Sequence, residues 1–181
     1  MSPEVDRRVF GDLSYGLYIV TSKDGDRLNG QIVNTVIQVT SDPPRVAVII
    51  NKKNLTHDYI SKSKVFGVSV LDELTPMKFL GPFGFRSGRD MNKFEEVKFL
   101  EGITGCPLVT DYAISILEAE VFDQIDLGSH TIFVGNAVNS EVLKDGSPLT
   151  YQYYREFLKG KSPPNAPTYT PTKKTEISSE S

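Results

Sequence analysis

NGQIVNTVIQVTSDPPRVAVIINKKNLTHDYI, running from Asn29 to Ile60, is the stretch whose reading decides the fold. Its first part is β-branched at Ile32, Val33, Thr35, Val36, Ile37, Val39 and Thr40. That density favours one extended strand from Gln31 to Thr40. A period of two puts Val33, Thr35, Ile37 and Val39 on one face, and Ile32, Asn34, Val36 and Gln38 on the other. The amides of Asn34 and Gln38 need partners there, either a bound polar ligand or neighbouring backbone. Ser41-Asp42-Pro43-Pro44 breaks the strand, because proline fixes φ, restricts its predecessor and donates no hydrogen bond. Arg45 to Ile50 is apolar at almost every position and predicts a strand covered on both faces. It leads into Asn51-Lys52-Lys53-Asn54-Leu55-Thr56-His57-Asp58, where Asn54 or Thr56 caps a short helix ending near Ser61. Asn51, Lys52, Asn54 and Thr56 bring amide, ammonium and hydroxyl donors to a helix start whose free N–H groups favour an anion. Two readings fit this chemistry: a phosphate site, and a solvated basic turn with an ordinary cap.

Outward from this stretch the chain alternates strands with turn signals. A helical turn is expected over residues 5–10 and a strand over 13–22. An Asp24-Gly25 hairpin then returns the chain to Leu28. VFGVSVL (65–71) reads as a strand, and residues 74–80 and 90–94 as short helices. Between the last two, residues 81–90 read as a glycine-rich loop with Arg86 and Arg89. It matches neither the dinucleotide fingerprint nor the P-loop. Glycine admits close backbone approach and arginine suits phosphate, but a plain surface loop has the same composition. Residues 95–109 read as irregular, with Cys106 a small buried thiol. In the strand over 113–123, Leu117, Ala119 and Val121 face inward while Glu118 and Glu120 face out. A last long strand covers 131–143, with Gly135 at a bulge or close contact. A helix over 151–159, capped by Thr150 and ended by Gly160, precedes a Pro/Ser/Thr/Lys-rich tail that is extended and then disordered. Many strands with little helix between them favour an antiparallel barrel over a doubly wound sheet.

The 181 residues suffice for one domain with a core, and 39% apolar with 24% charged residues fit a globular chain. A net charge of −3 argues against nucleic acid as a partner. No apolar run is long enough to span a membrane. The N-terminus has no signal core, so a cytoplasmic protein is expected. A single cysteine excludes an intrachain disulfide and a Cys₄ site, and with only His57 and His130 no metal site is expected.

Six segments in order resemble one family. They are YGLYIVTS (15–22), NGQIVNTVIQVTSDPP (29–44), INKKNLTHDYI (50–60), GFRSGRD (84–90) with Lys93-Phe94, TGCP (104–107) and LGSHTIFVG (127–135). The end, PLTYQYYREFLKGKSPPNAPTY (148–169), is the most specific. Together they resemble the flavin reductase-like family with an FMN-binding split β-barrel, in its flavoredoxin and high-molecular-weight rubredoxin group. The resemblance implies a mainly β, antiparallel, Greek-key-like split barrel with a few short helices. It implies an FMN-binding domain over residues 1–170, and the composition of residues 171–181 predicts a disordered tail.

By the same resemblance, Gln31, Ile32, Val33, Asn34 and Thr35 lie against the flavin. Asn51, Lys52, Asn54 and Thr56 hold its phosphate, and Ser87, Gly88 and Arg89 close over ring or phosphate. His130 is the candidate catalytic residue, orienting a nicotinamide. NADH or NADPH is the transient donor, and a homodimer is expected with the flavin near its interface. The acceptor is free flavin, a ferric chelate or a small redox protein such as rubredoxin. The alternative is a flavoredoxin-type electron carrier without efficient NAD(P)H oxidation of its own. Two departures stand out. The cysteines of a fused rubredoxin do not follow before Ser181, so a rubredoxin or other redox-protein partner is expected to be a separate protein. Gly128-Ser129-His130 also stands where many flavin reductases have Gly-Asp-His, so the carboxylate beside His130 is missing.

Overall fold

The computed structural model describes residues 5–169; residues 1–4 and 170–181, including the tail expected to be disordered, lie outside the described residues. A 3-10 turn at Arg7–Gly11 precedes β1 (Tyr18–Asp24), β2 (Arg27–Val33), β3 (Val36–Ser41) and β4 (Pro44–Asn51). Next come α1 (Leu55–Ser63), β5 (Val65–Leu71) and α2 (Met77–Phe85). The chain continues with β6 (Phe99–Glu101), β7 (Pro107–Val109), β8 (Ala113–Asp126), β9 (His130–Val142) and α3 (Tyr151–Glu156).

Seven strands form one antiparallel sheet in the order β2-β1-β5-β8-β9-β4-β3. Laid flat, six inter-strand gaps would separate the outermost strands by about 29 Å. Yet β2 and β3 are joined only by Asn34 and Thr35, a link that reaches on the order of 10 Å. The sheet therefore curls until its edges meet, which makes a barrel split between β2 and β3. This corrects the expectation of one strand from Gln31 to Thr40. The β-branched run supports two strands, and the barrel corner falls at Asn34-Thr35. The corner also explains why Ile37 and Val39, expected to share a face with Val33, are 60% and 46% exposed while Val33 is buried.

Val20, Val33, Val46, Val48, Ile50, Phe66, Val68, Ala119 and Phe133 fill the barrel, and Ile60 of α1 plugs it. Alternation sends their chain neighbours outward. Leu17 and Ile19 join Leu71, Leu80, Phe83, Phe94, Val109, Leu149 and Tyr154 in a second core beneath α2 and α3. Gly135 is a close contact, as expected: a Cβ there would lie 2.8 Å from Phe66 and from Ala119.

Other expectations require correction. Residues 81–85 are not loop but the end of α2, because Leu80 and Phe83, three apart, bury against the second core. Residues 90–94 form turns rather than a helix; Asn92 Oδ1 accepts from Phe94 N at 3.0 Å, a local bond that competes with helix. Residues 95–109 include the β6–β7 pair. The first strand starts at Tyr18 rather than residue 13, and its hairpin turns at Gly25-Asp26, with Gly25 at φ +59°. Glu118 is fully buried instead of solvent-facing. Its carboxylate accepts from Ile103 N (2.8 Å), Thr104 N (2.9 Å), Thr104 Oγ1 (2.7 Å) and Asn139 Nδ2 (3.0 Å). Burial pushes its pKa up, but these bonds outweigh that and hold it below the ordinary value. After α3 the left-handed residue is Lys159, and Gly160 is required because a Cβ would lie 2.0 Å from the Tyr154 ring.

Candidate functional site

The barrel corner, the end of β4, the start of α1 and the chain after α2 converge on one cavity of about 710 Å³, within the range typical of small-molecule sites. Gln31, Ile32, Val33 and Asn34 form one wall, Asn51, Asn54 and Thr56 another, and Ser87, Gly88 and Arg89 a third. Ten of the thirteen residues singled out from the sequence thus meet in one place.

The other three lie just outside. Thr35 turns away and donates its hydroxyl to Ile49 O at 3.1 Å. Lys52 points out of the cavity to Asp126, 2.6 Å away, at the β8–β9 turn. His130 pairs with Asn51 in the β4–β9 register. Its Nε2 is 3.5 Å from Asn51 Nδ2 and its Nδ1 is 2.9 Å from Ser129 Oγ. It meets the cavity only through Asn51.

Local chemistry explains how the walls hold their shape. Asn54 caps α1 without a side-chain bond to the helix, so the first N–H groups face the cavity end. Asn51 Oδ1 accepts from Lys53 N at 3.0 Å, which fixes the turn. Arg89 donates to Lys53 O (3.2 Å) and to Asp58 (2.7 Å), tying the third wall to α1. His57 is occupied elsewhere: its Nε2 lies 2.9 Å from Thr131 Oγ1, and burial lowers its pKa against the pull of Asp58.

The thirteen residues singled out from the sequence leave out several polar contributors. Asn29 is buried and donates from Nδ2 to Thr56 Oγ1 at 2.9 Å, while its Oδ1 has no partner among the described residues. Gly88 passes over it so closely that a Cβ would lie 2.1 Å from that oxygen. Lys93, almost fully buried, sends Nζ into the wall to Gly30 O at 2.8 Å. Lys53, rather than Lys52, is the turn lysine on the wall. Residues 162–167 form the cover. Asn165 O accepts from Asn51 Nδ2 (3.2 Å), Asn165 Nδ2 donates to Asn54 Oδ1 (3.3 Å), and Asn34 Nδ2 donates to Thr168 Oγ1 (3.0 Å). This segment was expected to be extended. It is instead turned twice, by Ala166 N to Pro163 O and Tyr169 N to Ala166 O. Its prolines exclude helix but admit turns. An Asn29 would have been recognisable as special only from its burial, which alternation along β2 hints at but does not fix.

The lining charges all have one sign. Lys53, Arg86, Arg89 and Lys93 line the cavity, and no described Asp or Glu does, in a chain whose net charge is −3. Such a wall suits an anionic ligand, and the unpaired Asn29 Oδ1 suits one that also carries an N–H or O–H donor. A phosphorylated flavin has both, together with a planar body for Ile32, Phe83 and Phe85.

The comparisons with known proteins agree. Residues 10–158 match the flavin reductase like domain. The chain is 50% identical over 169 residues to a ferric-chelate reductase (NAD(P)H) of Archaeoglobus fulgidus, covering 93% of this chain and 100% of that protein. It is 45% identical over 166 residues to a high molecular weight rubredoxin of Moorella thermoacetica, covering 92% of this chain and 72% of that one. The solved structure of a Streptomyces globisporus NADH:FAD oxidoreductase, in complex with NAD and FAD fragments, matches with a TM-score of 0.70. That match has 26% identity and covers 82% of this chain and 92% of that one. By sequence and fold alike, the chain belongs to the flavin reductase-like family.

Proposed function

We propose that this protein binds FMN in the 710 Å³ cavity and passes electrons from NAD(P)H to an acceptor: free flavin, a ferric chelate or a small redox protein such as rubredoxin. The observation that carries this reading is the cavity lining, whose described charged residues Lys53, Arg86, Arg89 and Lys93 are all cations, within a family whose relatives are named as NAD(P)H-dependent reductases. FMN, when bound, supplies the two-electron chemistry; the chain binds it, orients it and limits its exposure.

The residues divide this work. Asn51, Asn54, Thr56 and the free N–H groups of α1 receive the phosphate, with Lys53 and Arg89 as cations. Gln31, Ile32, Val33 and Asn34 form the wall for the ring. Ser87 and Gly88 close over it, and Gly88 has no Cβ to collide with Asn29. His130 acts as a positioning residue that fixes the Asn51 amide. The turned segment 162–168 restricts water and bulky reactants.

A homodimer completes the proposal. Strand register puts Ile37, Ala47 and Val134 in one row, and Ile49, Ile132 and Ile125 in the next, all on the outer face of β3-β4-β9-β8. Ile37 is 60% and Ile125 49% exposed. Ile49 also lines the cavity, so a second copy on this face would sit beside the ligand. An apolar strip of this kind is the expected seat of a C₂ contact.

The test is steady-state oxidation of NADH or NADPH with ferric citrate as acceptor. The proposal expects turnover that depends on added FMN. Absence of turnover with both nicotinamides and with ferric citrate, free flavin and rubredoxin as acceptors would leave the electron-carrier reading.

A further inference from the structure

Lys93 is the one cavity cation that is almost fully buried, at 5% exposure. Its backbone is pinned: Phe94 N donates to Asn92 Oδ1 at 3.0 Å, and the Phe94 ring sits edge-on to Phe83 and Phe99. The side chain is therefore delivered to one place, where Nζ donates to Gly30 O at 2.8 Å and lies 5.9 Å from the centre of the Phe83 ring. Gly30 belongs to β2, an outermost strand of the sheet order that pairs only with β1, which leaves this carbonyl free for the lysine.

An ammonium group has three N–H donors, and one bond to a neutral carbonyl accounts for one of them. Lys93 makes no ion pair among the described residues. The other charged residues on the wall, Lys53, Arg86 and Arg89, are cations too. A buried charge without a counter-charge is costly, and burial accordingly pushes the Lys93 pKa down to about 8. A ligand in the cavity that Lys93 lines is placed to supply the missing negative charge.

FMN carries negative charge on its phosphate always and on its ring only when reduced. The phosphate has its own donors at the start of α1, where Lys53 and Arg89 are linked. The ring is uncharged when oxidised. It becomes an anion when it takes a hydride, because a neutral ring that gains two electrons and one proton gains one negative charge; the nicotinamide leaves as its oxidised cation. Lys93 stands among Phe83, Phe94 and the Gly30–Gln31 wall, surroundings that suit a ring rather than a phosphate.

We propose that Lys93 is the counter-charge for the reduced flavin ring and thereby raises the reduction potential of the bound flavin. This rests on the reading of the cavity as a flavin site. A cation beside the ring is a recognised means of tuning flavin electronics, and nothing else on the described wall can supply one so deeply buried.

The test compares wild type with Lys93→Met and Lys93→Gln; glutamine keeps a donor for Gly30 O while removing the charge. Dissociation constants are measured anaerobically for oxidised FMN, dithionite-reduced FMN and riboflavin, together with the potential of the bound flavin. Both variants should hold oxidised FMN and riboflavin nearly as wild type does. Reduced FMN should bind about 10- to 100-fold more weakly, the range of a charge-assisted hydrogen bond. By linkage the potential should fall by roughly 30–60 mV, at about 30 mV per decade for two electrons. An unchanged potential would overturn the proposal, leaving Lys93 only its bond to Gly30. Equal loss for oxidised and reduced FMN, with riboflavin unaffected, would assign it to the phosphate and also overturn it. Wild-type protein that binds no flavin at all would overturn the flavin reading and this proposal with it.

Discussion

Asn165 closes onto Asn54: its Nδ2 donates to Asn54 Oδ1 at 3.3 Å, while its own carbonyl accepts from Asn51 Nδ2 at 3.2 Å. A residue 111 positions away from the α1 cap thus holds both amides of the proposed phosphate turn. Truncation after Lys161 removes these bonds and the cover over the cavity. With about 1 kcal/mol for each of the two bonds, FMN affinity should fall by up to roughly 30-fold, and the fluorescence of bound flavin should rise as solvent reaches it. Fluorescence titration of the truncated and full chains checks this. Equal affinities would make the segment a bystander.

The cations of the phosphate turn can be separated by mutation. Lys52 is engaged by Asp126 outside the cavity, whereas Arg89 lines it. Arg89→Ala should weaken FMN by roughly tenfold, the low end for a charge-assisted contact because Arg89 is half-exposed. Riboflavin, which lacks the phosphate, should be unaffected. Lys52→Ala should change neither ligand appreciably. Isothermal titration of both variants with both ligands decides the matter; a larger loss for Lys52→Ala would return the phosphate to the position first expected from sequence.

Much of the candidate site was legible in the sequence. The β-branched density of residues 31–40, the run from Arg45 to Ile50 and the Asn/Thr-rich helix start gave the strands and the turn, because those signals are local. The break at Asn34-Thr35 was not legible. A run of β-branched residues looks the same whether it crosses one sheet or turns the corner between its two edges. Lys52 and Lys53 could not be told apart for a similar reason: which one faces the cavity depends on Asp126, 74 residues away. Glu118 looked solvent-facing by alternation, and only the loop holding Ile103 and Thr104 makes it a buried acceptor. Asn29 and Lys93 belong to segments that carry the family resemblance, but no local signal shows that Lys93 is buried against the cavity wall.

The outer face of β3-β4-β9-β8 offers a test of assembly. Ile37→Glu places a charge at the exposed end of one apolar row without touching the barrel interior. Sedimentation should show a dimer for wild type and a monomer for the variant. A wild-type protein that sediments as a 20.1 kDa species with flavin fully bound would contradict the proposed contact.

Lys93 predicts a pH signature in the flavin-free protein. Its folded pKa is lowered from 10.5 to about 8 by burial, so below pH 8 the fold carries a buried charge that the unfolded chain solvates. The shift corresponds to a destabilisation on the order of 3 kcal/mol. This cost recedes as pH rises from 8 to 10.5, because the folded protein releases the proton before the unfolded chain does. Lys93→Met should therefore be more stable than wild type at pH 7, by roughly 1–2 kcal/mol after loss of the bond to Gly30 O. The advantage should vanish or reverse above pH 10.5. Urea unfolding at pH 7 and at pH 10.5 measures both. Equal stability of the two proteins at pH 7 would show that the amine is not buried uncompensated.

The central claim is that this cavity holds FMN in reach of a nicotinamide. Its most direct test is anaerobic mixing of the FMN-loaded protein with NADH or NADPH while the visible flavin band is followed. The account predicts that at least one of the two bleaches the band fully, without any acceptor present. It also predicts that re-admission of ferric citrate restores the colour. A yellow protein that neither nicotinamide bleaches, yet dithionite does, would contradict it.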